Sequence, residues 1–261
     1  MSFSMSIAPI DYFERLPEGC IIEIISKTTP SDAVKSTILS KEFKRVVESD
    51  LIWGRFLPFG YQEIVDRSEF PPICNTKKEL FFSLCDSPIL LDGGKLSFFL
   101  DKQSGKKCVM ISSRELMILA CGKTYFWQWK KHPNSRFSKV AYLRGLGSLY
   151  IRGKIASQML SKRTTYIMYL VFKLDPNVYD DLAIGNSVVI FANRQTEVRR
   201  KRRRTGYPNV QRRVDGWMEI EMGKFFNDVG EERDVEARLL EIRHRFGNGD
   251  LLIEGVEFRP E

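Results

Sequence analysis

The sequence predicts a multidomain α + β chain: a small N-terminal helical unit followed by a mainly antiparallel β-sandwich. Three observations predict it. Apolar residues recur at helical spacing between residues 11 and 57. From about residue 106 to 261, β-branched and aromatic runs alternate with polar residues at strand period. Between them, residues 58–105 are punctuated by Pro58, Gly60, Pro71-Pro72, Pro88 and Gly93-Gly94. That middle stretch also holds Leu80-Phe81-Phe82 and Ser97-Phe98-Phe99-Leu100, which are too apolar for a free linker. It reads as a packed connector with one or two short helices.

In the first unit, Pro17 suits the first turn of a helix, where its missing N–H costs nothing. Ile21, Ile24 and Ile25 then share one face. A second start signal is Thr29-Pro30-Ser31-Asp32, with Thr29 as cap, Pro30 at the first helical position and Asp32 placed to reach back as a capping-box acid. Val34 and Ile38, then Leu39 and Phe43, lie four apart, and Val46 and Val47 extend that face. Trp53, Phe56 and Leu57 close the unit before Pro58. Helices of two or three turns cannot stand alone, so their spare apolar face must be covered. Two covers are open: a partner protein, or the connector and sandwich of the same chain.

In the second unit, Tyr166 to Leu174 and Ser187 to Ala192 read as strands. From Trp217 to Met222, Met218, Ile220 and Met222 face one side, Glu219 and Glu221 the other. Val235, Ala237 and Leu239 alternate with Glu236 and Arg238, and the phase then slips at Leu239-Leu240. One extra residue in a strand is a β-bulge, which would put Asp234, Glu236 and Glu241 on one polar face.

Charge and composition narrow the function classes. The net charge of +8 is mostly one run: Arg199, Arg200, Lys201, Arg202, Arg203 and Arg204. Six like charges repel in any compact element, so the run predicts a loop. It can serve nuclear import, stay a solvated loop, or bind nucleic acid non-specifically. No interleaved aromatics or reading helix favour the last, so nucleic acid is not an expected partner. The five cysteines (Cys20, Cys74, Cys85, Cys108 and Cys121) are scattered and odd in number, and only His132 and His244 supply imidazoles. They predict separate reduced thiols, with neither zinc nor disulfides. No cofactor is expected. No phosphate loop, H-E-x-x-H or G-x-S-x-G occurs, so catalysis is not expected. Met1 to Ile10 lacks a signal-peptide pattern, and no apolar stretch approaches the roughly 20 residues of a membrane span. The expectation is a soluble intracellular protein.

Two resemblances sharpen this. Leu16-Pro17-Glu18, Cys20-Ile21-Ile22, Ile24, Asp32-Ala33, Leu39-Ser40-Lys41, Phe43, Ser49-Asp50, Trp53 and Phe56-Leu57-Pro58 together resemble an F-box over residues 11–57. Residues 106–261 resemble the phloem protein 2 domain of the Nictaba-type lectins. The residues that carry this are Ser113-Arg114-Glu115-Leu116, Phe126-Trp127-Gln128-Trp129-Lys130, Tyr150-Ile151-Arg152-Gly153-Lys154-Ile155, Tyr169-Leu170-Val171-Phe172-Lys173-Leu174, Asp215-Gly216-Trp217-Met218-Glu219-Ile220, Gly223-Lys224-Phe225-Phe226-Asn227 and Gly255-Val256-Glu257-Phe258-Arg259-Pro260. The pairing resembles the plant F-box proteins that carry a phloem protein 2 domain.

The first resemblance implies docking on a Skp-type adaptor and through it a cullin, with Leu16, Pro17, Ile21, Ile24 and Leu39 as candidate anchors. Ubiquitin transfer would fall to other subunits. The second implies a jelly-roll-like sandwich that, in its lectin relatives, binds N-acetylglucosamine-type glycans. Trp127, with Trp129 two residues on, Asp234 and Glu241 are the candidate sugar contacts. Stacking of a pyranose face on an indole gives the chemistry. Core packing of both tryptophans, and solvent for both acids, are the plainer alternatives. Ala120 stands where the relatives carry a second sugar-contacting tryptophan, and Asp234 replaces a glutamate. Protein recognition by the same face therefore stays open beside glycan or glycoprotein recognition. The relatives also carry a basic nuclear-import stretch near the place of Arg199 to Arg204, which implies nucleus and cytoplasm. A free-standing lectin without a ligase role is the alternative for the whole chain.

Overall fold

Four short helices build the first unit: α1 Glu18–Ser26, α2 Pro30–Ser36, α3 Lys41–Glu48 and α4 Asp50–Phe56. They come from a computed structural model that describes residues 16–121, 126–144, 148–174, 182–184, 187–191, 210–228, 234–244 and 250–261. The side chains of Ala120, Cys121, Phe126, Ser148, 182–184, 187–191 and 239–244 are outside that description. The helix starts obey local chemistry. Pro17 is the N-cap of α1, one residue before its expected place, and its carbonyl accepts from Cys20 N at 2.9 Å. Thr29 caps α2 by accepting from Asp32 N at 3.1 Å. Asp32 does reach back, but to the Thr29 hydroxyl, which donates to Oδ2 at 2.8 Å. Ser40 Oγ accepts from Phe43 N at the start of α3.

The helices share a core around Ile21, Ile25, Phe43, Val46, Val47, Ile52 and Trp53. Trp53 is fully buried, and its indole N–H donates to Val47 O at 2.6 Å. The polar edge of a buried tryptophan is thereby satisfied within the unit.

The connector completes this core. Helices α5 Tyr61–Asp66 and α6 Lys77–Asp86 lie where short helices were expected. Phe81 and Phe82 of α6 sit 5.1 and 5.0 Å from the Trp53 ring. Asp50 of α4 also accepts from Lys77 N, the first amide of α6, at 2.8 Å. The connector additionally contains strands. β1 Ile89–Leu91 and β2 Leu96–Leu100 form an antiparallel hairpin with Ile89 opposite Phe98. The Gly93-Gly94 pair that punctuates the sequence is its turn, with Asp92, Gly93 and Gly94 all at positive φ. Arg67 holds the turn by donating to both Asp92 oxygens at 3.0 and 2.6 Å.

Twelve further strands follow among the described residues: β3 Lys107–Ser112, β4 Met117–Cys121, β5 Phe126–Lys130, β6 Val140–Arg144, β7 Ser148–Ala156, β8 Thr164–Leu174, β9 Leu182–Ile184, β10 Ser187–Phe191, β11 Val210–Arg212, β12 Met218–Asn227, β13 Asp234–His244 and β14 Asp250–Pro260. They form two antiparallel sheets. The larger runs β1-β2-β3-β14-β8-β12-β11, with β6 also on β14 and β5 on β6. The smaller runs β10-β13-β7-β4, with β9 also on β13. The fold is thus helices followed by a mainly antiparallel sandwich, as the sequence predicts.

β14 organises the larger sheet. Its first half pairs with β6 and its second half with β3, while β8 lines its other edge throughout. A bulge separates the halves between Ile253 and Gly255. A Cβ on Gly255 would fall 2.1 Å from Ile111 O, so only glycine fits this close backbone approach. In β13 the register jumps from Leu239 opposite Ile151 to Ile242 opposite Leu149, which is the irregularity read at Leu239-Leu240. The core between the sheets holds Val109, Ile111, Leu149, Ile151, Leu170, Phe172, Ile220, Val235, Ala237, Leu251 and Ile253, and it runs into the helical core as one cluster.

Candidate docking face and sugar-binding surface

The helical unit divides its apolar residues between an inside and an outside. Ile21 and Ile25 are each only 1% exposed. Ile21, expected among the docking anchors, is therefore a core residue. The three-residue reading of the face merged two directions: Ile21 and Ile25 point inward, and Ile24 lies beyond the edge of that stripe. Ile24 is 46% exposed and Leu39 53%. Pro17 is exposed and Leu16 half-buried against the core. Val34 and Ile38, read as helix-face residues, are also exposed. Large apolar residues so clustered in sequence and open to water make this side of the unit a candidate interaction face. Exposed ion pairs, Arg45 with Glu18 and Arg55 with Glu23, hold α1 against α3 and α4 and contribute little each.

The sandwich places the sugar-contact candidates in two locations. Trp127 and Trp129 lie on β5, opposite Leu143 and Ala141 of β6. Those partners point into the core, so the indoles take the core side of the larger sheet, but at its edge strand. Trp127 is 48% exposed and Trp129 36%. Their rings meet edge to face with centroids 4.9 Å apart. The pair is not a core pair: both indoles are exposed and pack on each other.

Asp234 starts β13 in the other sheet. Its neighbours Val235 and Ala237 are fully buried in the core, so Asp234 faces outward. It is exposed and faces Lys154 Nζ at 3.6 Å. The tryptophans and Asp234 therefore stand on different sheets, the indoles on the core side of the larger one and Asp234 on the outward face of the smaller. The side chain of Glu241 and the run Arg199 to Arg204 lie outside the described residues, as does the side chain of Ala120.

The outward face that carries Asp234 holds features the alternation did not reveal. Glu236, read as a polar-face acid, is only 2% exposed. It accepts from Arg152 Nη2 at 2.8 Å and from Arg238 Nε. Burial pushes its carboxyl up, but the two guanidinium groups outweigh burial and hold it below the usual carboxylate range. Beside this triplet, across β7 and β4, Met117 is 48% exposed opposite Arg152, and Leu119 53% opposite Tyr150.

A second ionic cluster covers the outward face of the larger sheet. Glu257 is fully buried and is contacted by Arg136 at 2.7 Å, Arg213 at 2.5 Å and Arg259 at 3.8 Å. Glu219 joins Arg213 at 3.1 Å and Arg259 at 2.6 Å. Burial raises Glu257, but the three guanidiniums pull it lower. Glu254, the bulge residue, accepts from Arg136 N at 2.8 Å and Ser135 Oγ at 3.1 Å, and burial dominates to raise its carboxyl. Trp217 is buried beneath the same cover, donating to Asn134 O at 2.8 Å. The Asp215-Gly216-Trp217 and Glu257-Phe258-Arg259 motifs thus build this cover. Among the described residues no group of His, Cys, Asp and Glu is arranged to hold a metal.

Comparison with known proteins agrees with this layout. The family model for phloem protein 2 matches residues 106–260. F-box protein PP2-B10 of Arabidopsis thaliana is 40% identical over 260 residues, covering 95% of this chain and 94% of that protein. F-box protein At2g02240 of the same plant is 40% identical over 264 residues, covering 95% and 80%. Among solved structures, the CBM22-1 xylan-binding domain of Paenibacillus barcinonensis Xyn10C aligns with 57% of this chain and 87% of that one, at 9% identity and a TM-score of 0.31, too slight a likeness to bear on the ligand. The chain belongs to the phloem protein 2 family and, within it, to the F-box proteins that join an N-terminal F-box to this domain.

Proposed function

We propose that this chain is the substrate-recognition subunit of a Skp–cullin–F-box ubiquitin ligase, with its sandwich capturing glycans of N-acetylglucosamine type or the proteins that carry them. The observation that carries the reading is the divided helical unit. Ile21, Ile25 and Trp53 close its inner side against the chain's own core, while Pro17, Ile24 and Leu39 stay open on the other. A bundle already anchored inside has no internal use for that outer strip, and a Skp-type adaptor supplies the apolar groove it fits. The Trp127–Trp129 pair supports the glycan part, because two exposed indoles in edge-to-face contact offer an aromatic stacking surface. Transfer of ubiquitin is assigned to the other subunits, and the protein to nucleus and cytoplasm.

Reconstitution tests the whole reading. The full chain, co-expressed with a Skp-type adaptor and a cullin, should form a stable complex that ubiquitinates a glycoprotein retained by the sandwich. Omitting this chain, or adding free N-acetylglucosamine oligomers, should stop the modification. Undiminished ubiquitination under both conditions would refute it.

A further inference from the structure

Where the helical unit meets the sandwich there is an open cleft of about 750 Å³. Its walls come from both units. Thr28, Arg55, Glu63 and Arg67 line one side, and Lys106, Lys107 and Lys162 the other. The two walls approach each other at Gly105, at φ +69°, where a Cβ would come 3.2 Å from Pro30 and 3.3 Å from Phe56 O.

Lys107 is the anomaly. It is 92% buried by its relative exposure of 8%, yet it lines this cleft. Its backbone is pinned, with the amide donating to Ser161 Oγ at 3.0 Å and the carbonyl accepting from Tyr166 OH at 2.8 Å. Its ammonium makes a single hydrogen bond among the described residues, to Gln158 O at 3.2 Å. An ammonium has three protons to place, and burial without a counter-charge is costly. Among the described residues, no carboxylate lies within ion-pairing distance of Lys106, Lys107 or Lys162, whereas Arg55 and Arg67 are already held by Glu23 and Asp92. Burial and the neighbouring Lys162 charge both push the Lys107 ammonium toward losing its proton. The fold therefore keeps a buried lysine with no carboxylate partner among the described residues, at the end of a strand that lines a cavity of ligand size.

We infer that this cleft binds a small phosphate-bearing polyanion, with Lys107 at its base and Lys106 and Lys162 at its rim. Three lysines are compact point charges, which suit the dense charge and several acceptor oxygens of phosphate groups better than one planar carboxylate. Seated between the units, such a ligand bridges the F-box to the recognition domain.

Calorimetric titration of the full chain with tripolyphosphate tests this. The basic run Arg199 to Arg204 is first replaced by serine, so that it cannot contribute binding of its own. Saturable one-to-one binding is expected, absent with sodium chloride of equal ionic strength. Lys107→Met should weaken it by about tenfold or more, while the melting temperature of the unliganded chain stays level or rises, because a costly buried charge is gone. If Lys107→Met does not fold, Lys106→Ala with Lys162→Ala, both outside the core, should weaken binding by a similar factor. Loss of all binding on replacing the basic run, or unchanged affinity in the lysine variants, would overturn the assignment.

Discussion

The indole of Trp53 and the ring of Phe81 lie 5.1 Å apart, both fully buried, although one belongs to the F-box and the other to the connector. Phe81 stands on α6, and that helix packs on β2 of the larger sheet. The F-box is therefore built onto the sandwich through an aromatic joint.

Removing that joint should be felt across the chain. Trp53→Ala should cost about 3–5 kcal/mol, the range for deleting a buried aromatic, read by urea unfolding. Helical and sheet signals should be lost together, because one core links them. A normal midpoint would mean that the cluster contributes no stability.

Ile21 and Ile24 should behave oppositely, though they are three residues apart. Ile21→Ala should destabilise by about 2–5 kcal/mol as a core truncation. Ile24→Ala should change stability by about 0.5 kcal/mol or less, as surface substitutions do, while weakening adaptor binding. Thermal melts and adaptor titrations on the same two variants check both halves.

The buried acids of the larger sheet give a signed pH response. Glu257 is held below the usual carboxylate range, so its stabilising contribution is present above that range and is lost as pH falls through its lowered value. Glu257→Gln should cost about 3–5 kcal/mol at pH 7, since three guanidinium groups lose their shared charge. Glu254 is displaced the other way, so its contribution is full in acid and is lost as pH rises through its raised value. Relative to the parent chain, Glu254→Gln should gain stability between pH 4 and pH 7. Denaturant midpoints across that interval are the readout for Glu254, and midpoints on the acid side of the usual carboxylate range are the readout for Glu257; a variant curve parallel to the parent within its own window would contradict that assignment.

The two surfaces of the sandwich can be separated by mutation. Trp127→Ala should abolish binding of N-acetylglucosamine oligomers with a smaller stability loss than Trp53→Ala, because half of Trp127 is open to water. Leu119→Asp, on the outward face of the other sheet, should leave sugar binding intact. The reverse pattern on a glycan array would move the site to that face.

Much of this was legible in the residues. The cap at Thr29, the slip at Leu239-Leu240 and the Trp53-to-Leu57 closure are local signals, and the structure carries them out locally. The hairpin β1-β2 was hidden because Gly93-Gly94 reads as irregularity until its flanking strands find an edge on β3. The burial of Glu219, Glu236 and Glu257 was hidden for a related reason. Alternation tells which side an acid takes, but whether an arginine from a distant strand covers it is a tertiary fact. The placement of Trp127 and Asp234 on different sheets is of the same kind, since sheet membership depends on pairings that neither segment encodes alone.

The account rests on the outer strip of the helical unit being a docking face, and adaptor affinity measures that directly. The full chain and its Ile24→Asp, Leu39→Asp double variant should be titrated against a purified Skp-type adaptor, with a melting curve on each. The prediction is tight binding by the parent, loss of about a hundredfold or more in the variant from two central anchors, and matching melts. Equal affinity for the adaptor, or none for the parent chain, would contradict it.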